Sequence, residues 1–510
     1  FTQKQTSLYN FFLWTLLFLI SLVNCTKETK KNVLLILIDD LRHILDEKHI
    51  LPNIYRMTAN GVNFKNAFAQ QALCAPSRNS LLTGRRPDSL RLYDFYSYWR
   101  DKTNFTTLPQ LFKENGYDTY SIGKVFHPGK SSNFTDDYPY SWSVSPFHPS
   151  TEAFKNAAVC RDKVTKKLEK NLICPVKVDT QPGHTLPDIE SLDYAIDLLR
   201  KRKYEERPYF LAVGFHKPHI PLKFPEEYLI PMNKVHPPTH PDIPERMPQV
   251  SWHPWTDVRS RDDIQRLNIS FPYGIMPRKW TLRIRQSYYA AAMFVDHLVG
   301  VLLRAVDLRK TIVVLTSDHG WSLGENGLWA KYSNFDASLR VPLKILSPDL
   351  PHEIIHRPVE LIDIFPTIVR LAGLSLNIPK CEGTIDKNIL CFEGKDLVTP
   401  LDTTQKKIRF AISQYPRPSV KAQKNSDKPK LKHIKIMGYS IRTKKYRYTL
   451  WISFNNTNFE LNWNKIYGEE LYDHVIDPDE ADNLYGIPKY RYIKNKLSTL
   501  IKSQIEPNNL

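Results

Sequence analysis

Past residue 23, this 510-residue chain contains no apolar stretch long enough to cross a membrane. That excludes a membrane protein with several helical spans. It has no internal repeat, so solenoids and propellers are excluded as well. It also lacks the dense basic arm of a nucleic-acid binder. The formal net charge is +18, from 71 Lys and Arg against 53 Asp and Glu, and the excess is spread along the chain. Its densest run, Lys421 to Lys435, is broken by Asn425-Ser426-Asp427. A diffuse basic surface suits a membrane surface or a sulfated polysaccharide, and equally a solvated surface with no partner. Cysteine is scarce, at six residues. What remains is a chain long enough for a large core, built as two domains or as one large α/β domain with an appendage.

The one long apolar run, Phe11 to Val23, lies behind Lys4 and ends at Asn24-Cys25-Thr26. It reads as the core of a signal peptide spanning 1–25 and is too short for a membrane span. Cys25 falls at its end and is expected to be lost with it. With Cys74 set aside, four cysteines remain in two close pairs, Cys160 with Cys174 and Cys381 with Cys391. Four cysteines allow three pairings, and these short loops are the preferred one. Such disulfides fit an oxidising compartment. Glycosylation sequons stand at Asn104, Asn133, Asn268 and Asn455. Leader and sequons together describe a secreted or lysosomal glycoprotein.

Short β-rich runs end in polar clusters. Val33 to Ile38 ends in Asp39-Asp40, Thr119 to Ile122 near Lys124 and His127, and Tyr209 to Val213 near His216, Lys217 and His219. Thr311 to Thr316 ends in Asp318-His319, and a weaker run, Ile408 to Ser413, in Gln414. Unbroken apolar runs are what strands buried on both faces look like. Helical spacing lies between them, notably over Arg285 to Leu308. Alternating strands and helices predict a large, mostly parallel, doubly wound α/β sheet. Ligands bind beyond the carboxyl ends of such strands, so all five clusters are expected to converge. Pro218 to Trp255 is proline-rich and reads as an ordered excursion over the site. From about Gln405 the pattern changes, and Lys435 to Thr443 and Tyr446 to Ser453 alternate like antiparallel strands. The expected organisation is a catalytic domain over 27–400 and a smaller C-terminal α/β subdomain with an antiparallel sheet over 405–510.

Cys74-Ala75-Pro76-Ser77-Arg78 precedes Leu82-Thr83-Gly84-Arg85. A thiol at a helix start sits in a field that favours an anion. Beside an arginine it reads as a nucleophilic or oxidised cysteine next to an anionic substrate; a lone buried cysteine would instead be structural. Asp39, Asp40 and Asp318 supply hard oxygen ligands suited to Ca²⁺ or Mg²⁺. Alone, Asp39-Asp40 would read as helix capping. Arg78, Lys124 and Lys331 could spread positive charge over an anion. Histidines could move protons near neutral pH.

The Cys-x-Pro-Ser-Arg pattern resembles the signature of type I sulfatases, which have an alkaline-phosphatase-like fold. The resemblance implies that Cys74 is converted to Cα-formylglycine, whose hydrate attacks sulfur. This maturation needs the formylglycine-generating enzyme as a partner. It also implies a divalent ion, usually Ca²⁺, held by Asp39, Asp40, Asp318 and His319, with modified Cys74 as a further ligand. Many relatives carry Asn where this chain has His319. In the same reading Arg78, Lys124 and Lys331 bind sulfate, His219 protonates the departing sugar oxygen, and His127 takes a proton from the hydrate.

Longer stretches resemble the branch of this family that acts on iduronate 2-sulfate. They include Arg91-Leu92-Tyr93-Asp94-Phe95, Gly123-Lys124-Val125-Phe126-His127-Pro128-Gly129, His216-Lys217-Pro218-His219-Ile220-Pro221, Trp329-Ala330-Lys331-Tyr332-Ser333-Asn334-Phe335-Asp336 and Asn425-Ser426-Asp427-Lys428-Pro429. That implies hydrolysis of the 2-O-sulfate of iduronate in heparan sulfate and dermatan sulfate, in the lysosome. Asp257, Trp321, Pro342, Gln414 and Lys428 would lie near the sugar. Lys428 would pair with a uronate carboxylate. Departures are a short Asp40 to Asn53 segment, Asn326 where His is common, Leu328 where an acid is expected, and a short Pro400 to Lys407 region. All are expected at the rim. The alternatives are another uronate or hexosamine sulfatase, a phosphodiesterase or phosphonate hydrolase on the same fold, and a non-catalytic secreted protein that binds sulfated glycans.

Overall fold

A computed structural model describes residues 30–162, 165–374, 378–379, 381, 390–398 and 408–505. The expected leader, 1–25, and the expected domain boundary between 400 and 405 lie outside them. From Asn32 onward the residues form one compact unit.

Its centre is a seven-stranded sheet. The strands are β1 (Asn32–Ile38), β2 (Val62–Phe68), β3 (Asp118–Gly123), β4 (Tyr209–Phe215), β5 (Thr311–Ser317), β6 (Arg340–Leu346) and β7 (Glu353–Glu360). Their order is β7-β2-β6-β5-β1-β4-β3. β1 pairs in parallel with β4 and β5, and β3 with β4. Only β6 runs against its neighbours, β2 and β5. Every residue from Val33 to Ile38 and from Thr311 to Ser317 is buried. That is the pattern of strands covered on both faces, and it explains why these two read most clearly in the sequence. Helix α1 (Cys74–Thr83) follows β2, α2 (Pro187–Arg202) packs on β3 and β4, and α3 (Arg278–Arg304) packs against α2. α3 covers most of the helix read over 285–308 and starts seven residues earlier, behind Pro277 as its N-cap.

A second sheet holds four antiparallel strands in chain order: β8 (Phe410–Arg417), β9 (Ile436–Thr443), β10 (Tyr446–Phe454) and β11 (Leu461–Asp473). Helix α4 (Arg491–Ile505) packs on β9 and β10. One expectation needs correction here. The run ending at Gln414 does not join the parallel sheet; it is β8, an edge strand of the second sheet. Its Ser413 Oγ and Gln414 N–H donate to the carbonyls of Ala69 and Gln70, at 2.6 and 2.7 Å, just past β2. The fifth strand of the converging set is β2 itself. Its VNFKNAF pattern is half polar, and Lys65 and Asn66 within it are only partly buried.

The cysteine pairs are disulfides, Cys160–Cys174 and Cys381–Cys391, and Cys74 is free and buried. Asn104, Asn133, Asn268 and Asn455 are all exposed. No described helix is long and apolar enough to cross a membrane.

Candidate active site

The carboxyl ends of five parallel strands meet at one place. β1 runs into Asp39-Asp40, β5 into Asp318-His319, β3 into Lys124, β4 into the His216–His219 loop, and β2 into α1, whose first residue is Cys74. Gly123 has φ of +69°, and a Cβ there would press on the Gly214 carbonyl. Only glycine lets β3 turn so tightly against β4, and the turn delivers Lys124, whose N–H donates to Gly214 O at 2.9 Å.

The Cys74 sulfur is the meeting point. Lys331 Nζ lies at 3.0 Å, His319 Nε2 at 3.3 Å, Lys124 Nζ and Asp39 Oδ1 at 3.7 Å and Asp40 Oδ1 at 3.9 Å. Lys331 also donates to Asp40 Oδ1 at 2.8 Å, and Lys124 pairs closely with Asp39 Oδ2. His219 Nε2 stands 4.0 Å from Asp40 Oδ2, while its Nδ1 lies 2.6 Å from the carbonyl of Ile220. His127 stacks on Phe95, ring centroids 4.4 Å apart. So the acidic pair, Asp318, both lysines, His319, His219 and Cys74 share one cluster, as the sequence predicts.

Arg78 does something other than what its charge suggests. The sequence reading aims it at the anionic substrate. It is fully buried, and its donors turn inward. Nε and Nη2 donate to Asp318 Oδ2 and Asp39 Oδ1, both at 2.9 Å, and Nη1 donates to the carbonyls of Lys124 and Val125. Its guanidinium fixes the ends of three strands instead of reaching solvent.

Burial alone would raise the Asp39 carboxyl, but Lys124, His219, Arg78 and Lys331 hold it well below the usual carboxylate range. Asp40 goes the other way. Burial, with Asp39 and Asp318 nearby, outweighs Lys331. Burial pushes the Cys74 thiol up to about 12 despite Lys124 and Lys331 beside it. Burial, helped by Lys124, keeps His127 neutral well below its ordinary range; burial and Lys155 do the same for His219.

Two of the three possible metal-ligand sets among the described residues are here, the ligand atoms of each lying within 4.8 Å of one another: Asp39, Asp40, Cys74 and His219, and Asp40, Cys74, Asp318 and His319. Asp40 Oδ2 is buried with no hydrogen-bond partner. His319 Nδ1 lies 3.0 Å from the Gly320 carbonyl and donates there, which leaves a lone pair on Nε2, 3.5 Å from both Asp40 and Asp318. Carboxylate oxygens with one oriented ring nitrogen fit a hard divalent cation.

Of the residues expected near a sugar, two come together at Tyr332, the neighbour of Lys331. Tyr332 donates to Asp257 Oδ2 at 2.5 Å, and the Lys428 ammonium lies 5.6 Å from its ring centroid. Trp321, Pro342 and Gln414 are packed inside. Trp321 stacks on Tyr288 at 5.6 Å. Pro342 lies within β6 and accepts from Thr316 Oγ1 at 2.9 Å. Gln414 donates to Asp88 at 3.0 Å. Asn326 and Leu328, expected at the rim, are buried too. Asn326 donates to the carbonyls of Asp479 and Glu480, both at 3.0 Å, and so ties its loop to the C-terminal segment.

The contacts of three supporting residues escape a sequence reading. Tyr288 on α3 donates to the Asp40 carbonyl at 2.6 Å and accepts from Arg42 N–H at 2.9 Å. This holds Asp40 in its left-handed backbone, φ of 62°. A tyrosine on an apolar helix face is the signal, because its buried hydroxyl needs a partner. Ser77 donates to the Asp318 carbonyl. Asp188 accepts from the backbone of His216 at 2.6 Å and of Lys217 at 2.9 Å, and so shapes the loop that carries His219. His216 therefore has a structural place, hydrogen-bonded to Asp188.

A protein-family model described as Sulfatase matches residues 31–374. Iduronate 2-sulfatase of Homo sapiens is 48% identical over 502 residues, covering 89% of this chain and 91% of that protein. Among solved structures, a 2-O GAG sulfatase superposes with a TM-score of 0.63 at 19% identity, over 94% of this chain and 92% of its own. A phosphonate monoester hydrolase from Silicibacter pomeroyi superposes at 0.68 and 19%, over 94% and 96%. Both show the same alkaline-phosphatase-like fold. With its matched domain and its buried cluster around Cys74, this chain belongs to the sulfatase family, whose members hydrolyse sulfate esters.

Proposed function

We propose that the protein removes the 2-O-sulfate of iduronate, the group named by its mammalian relative, from heparan sulfate and dermatan sulfate. The observation that carries this reading is the convergence of carboxylates, two ammonium groups and His219 on Cys74. A thiol pushed up to about 12 is a poor nucleophile at neutral or acidic pH. This supports conversion of Cys74 to formylglycine by the formylglycine-generating enzyme, which would supply a hydrated aldehyde as oxygen nucleophile. A Ca²⁺ ion held by Asp39, Asp40, Asp318 and His319 would offset sulfate charge and polarise the ester.

The chain's own residues do the rest. Lys124 and Lys331 flank position 74 and bind the sulfate oxygens, where charge grows in the transition state. Arg78 keeps Asp39 and Asp318 in place. The anionic ester brings a negative charge toward His219 Nε2 and opposes the burial that keeps the ring neutral. Nε2 then carries the proton to the departing sugar oxygen. His127, held neutral and braced by Phe95, accepts a proton from the side chain at position 74. Asp257 and Lys428, gathered at Tyr332, bind the uronate. Residues 27–400 form the catalytic domain and 405–510 its C-terminal subdomain.

The exposed sequons and the two disulfides support a secretory route to the lysosome. The test is hydrolysis by purified protein of 2-O-sulfated iduronate beside 6-O- and N-sulfated glucosamine. Cleavage confined to the first is expected. Preferential cleavage of a glucosamine sulfate would assign a different positional specificity.

A further inference from the structure

On the two segments that carry Phe95 and Lys428, an aromatic ring and an ammonium are exposed together. Tyr96 is 43% exposed, and the Lys430 Nζ lies 5.0 Å from its ring centroid. Lys430 is exposed and has no carboxylate partner among the described residues. The pair is distant in sequence yet held rigidly. Asp94, buried between the two segments, accepts from the N–H groups of Tyr96 and Ser97 through Oδ1, at 3.0 and 2.9 Å. Its Oδ2 accepts from the N–H of Leu431 at 2.7 Å. One carboxylate thus clamps the Tyr96 loop to the turn that carries Lys430.

Both segments lead directly to the site. Phe95 stacks on His127. Lys428, two residues before Lys430, lies over Tyr332, the neighbour of Lys331. Tyr96 thus directly follows the residue that stacks on His127, and Lys430 follows the uronate-binding lysine by two positions. The ring face turned away from Lys430 can pack against the C–H face of a pyranose, and the ammonium over the other face, with no carboxylate partner among the described residues, suits an anionic substituent of the same sugar.

We propose that Tyr96 and Lys430 form a subsite for the sugar adjoining the one whose sulfate is cleaved. Tyr96 takes its ring, and Lys430 takes its sulfate or carboxylate. The subsite rests on the sulfatase reading above and extends it to a chain-like substrate: part of the recognition lies outside the sugar being desulfated.

The experiment compares two substrates. One is a heparin-derived tetrasaccharide with terminal 2-O-sulfated iduronate next to N,6-disulfated glucosamine; the other is methyl iduronide 2-sulfate, which cannot reach the subsite. Tyr96→Ala and Lys430→Glu should each raise KM for the tetrasaccharide about three- to tenfold, the range expected of exposed contacts, with kcat nearly unchanged. The Lys430→Glu effect should shrink at high salt. Turnover of the methyl glycoside should stay the same, which also reports an intact fold. No change with the tetrasaccharide, or an equal loss on both substrates, overturns the subsite. If the unaltered protein hydrolyses neither, the sulfatase reading itself fails and the subsite falls with it.

Discussion

The ammonium of Lys331 stands 3.0 Å from the sulfur of Cys74 and 2.8 Å from Asp40. Lys124 flanks the same sulfur from the end of another strand, at 3.7 Å. Two buried cations beside one nucleophile position can hold an anion in place and stabilise the charge that grows as its ester bond breaks. Lys331→Met should therefore lower kcat/KM by about 10²- to 10³-fold, with an unchanged circular dichroism spectrum. A loss under tenfold would remove Lys331 from the sulfate-binding machinery.

His219 holds its Nδ1 on the Ile220 carbonyl and turns Nε2 toward Asp40. If that nitrogen protonates the sugar oxygen, its value depends on the leaving group. His219→Ala should cost about 10²- to 10⁴-fold on a sugar sulfate and far less on p-nitrophenyl sulfate, whose leaving group needs no proton. Equal losses on the two esters would exclude the acid role.

Asp363 provides a pH signature of folding away from the site. Its carboxylate accepts the N–H groups of Glu360 and Lys395, at 2.8 and 2.7 Å. Burial, with the Glu360 carboxylate beside it, raises its pKa from 3.8 to about 7. Below about pH 4 both folded and unfolded forms hold the proton, so the group contributes nothing to the difference. Between about 4 and 7 only the folded form holds it, and stability falls as pH rises; above 7 the loss is complete. The loss from this group is on the order of 2–4 kcal/mol. In denaturant titrations, Asp363→Asn should flatten the decline over this window. Parallel curves for the two proteins would contradict the assignment.

The two sheets are locked by buried charge. Arg447 pairs with Glu480 at 2.5 Å and closely with Asp336, which also meets Arg442 at 3.0 Å; His474 reaches Glu480 at 2.8 Å. Asp336 ends the segment that begins with Lys331 and Tyr332. Arg447→Met takes the guanidinium from Glu480 and one of two from Asp336, and should destabilise by about 3–5 kcal/mol, read as a lower denaturation midpoint. A change below about 1 kcal/mol would mean that the network is dispensable.

Much of this molecule was legible in its sequence, for reasons that differ by residue. β1 and β5 announce themselves because strands buried on both faces are apolar throughout, and the polar residues after them stand out. β2 hides because it is partly covered, and β8 misleads because an edge strand of a second sheet also carries an apolar run. Arg78 shows the limit of charge as a guide. A guanidinium beside a cysteine suggests an anionic ligand, yet its partners are carboxylates and carbonyls from three distant strands. The Asp188 contact with His216 and Lys217, across 28 and 29 positions, leaves no periodic trace at all. The exposed Tyr96–Lys430 pair is invisible for the same reason, since its halves are joined through Asp94 across more than 330 positions.

The central claim is that residue 74 works as a formylglycine, made from a cysteine that burial would leave a protonated thiol. Mass spectrometry of the peptide spanning Cys74, from protein expressed with the formylglycine-generating enzyme, measures this directly. The account predicts the aldehyde at position 74 in the active fraction, and no turnover with an intact fold in Cys74→Ala. An unmodified thiol in fully active protein would contradict it.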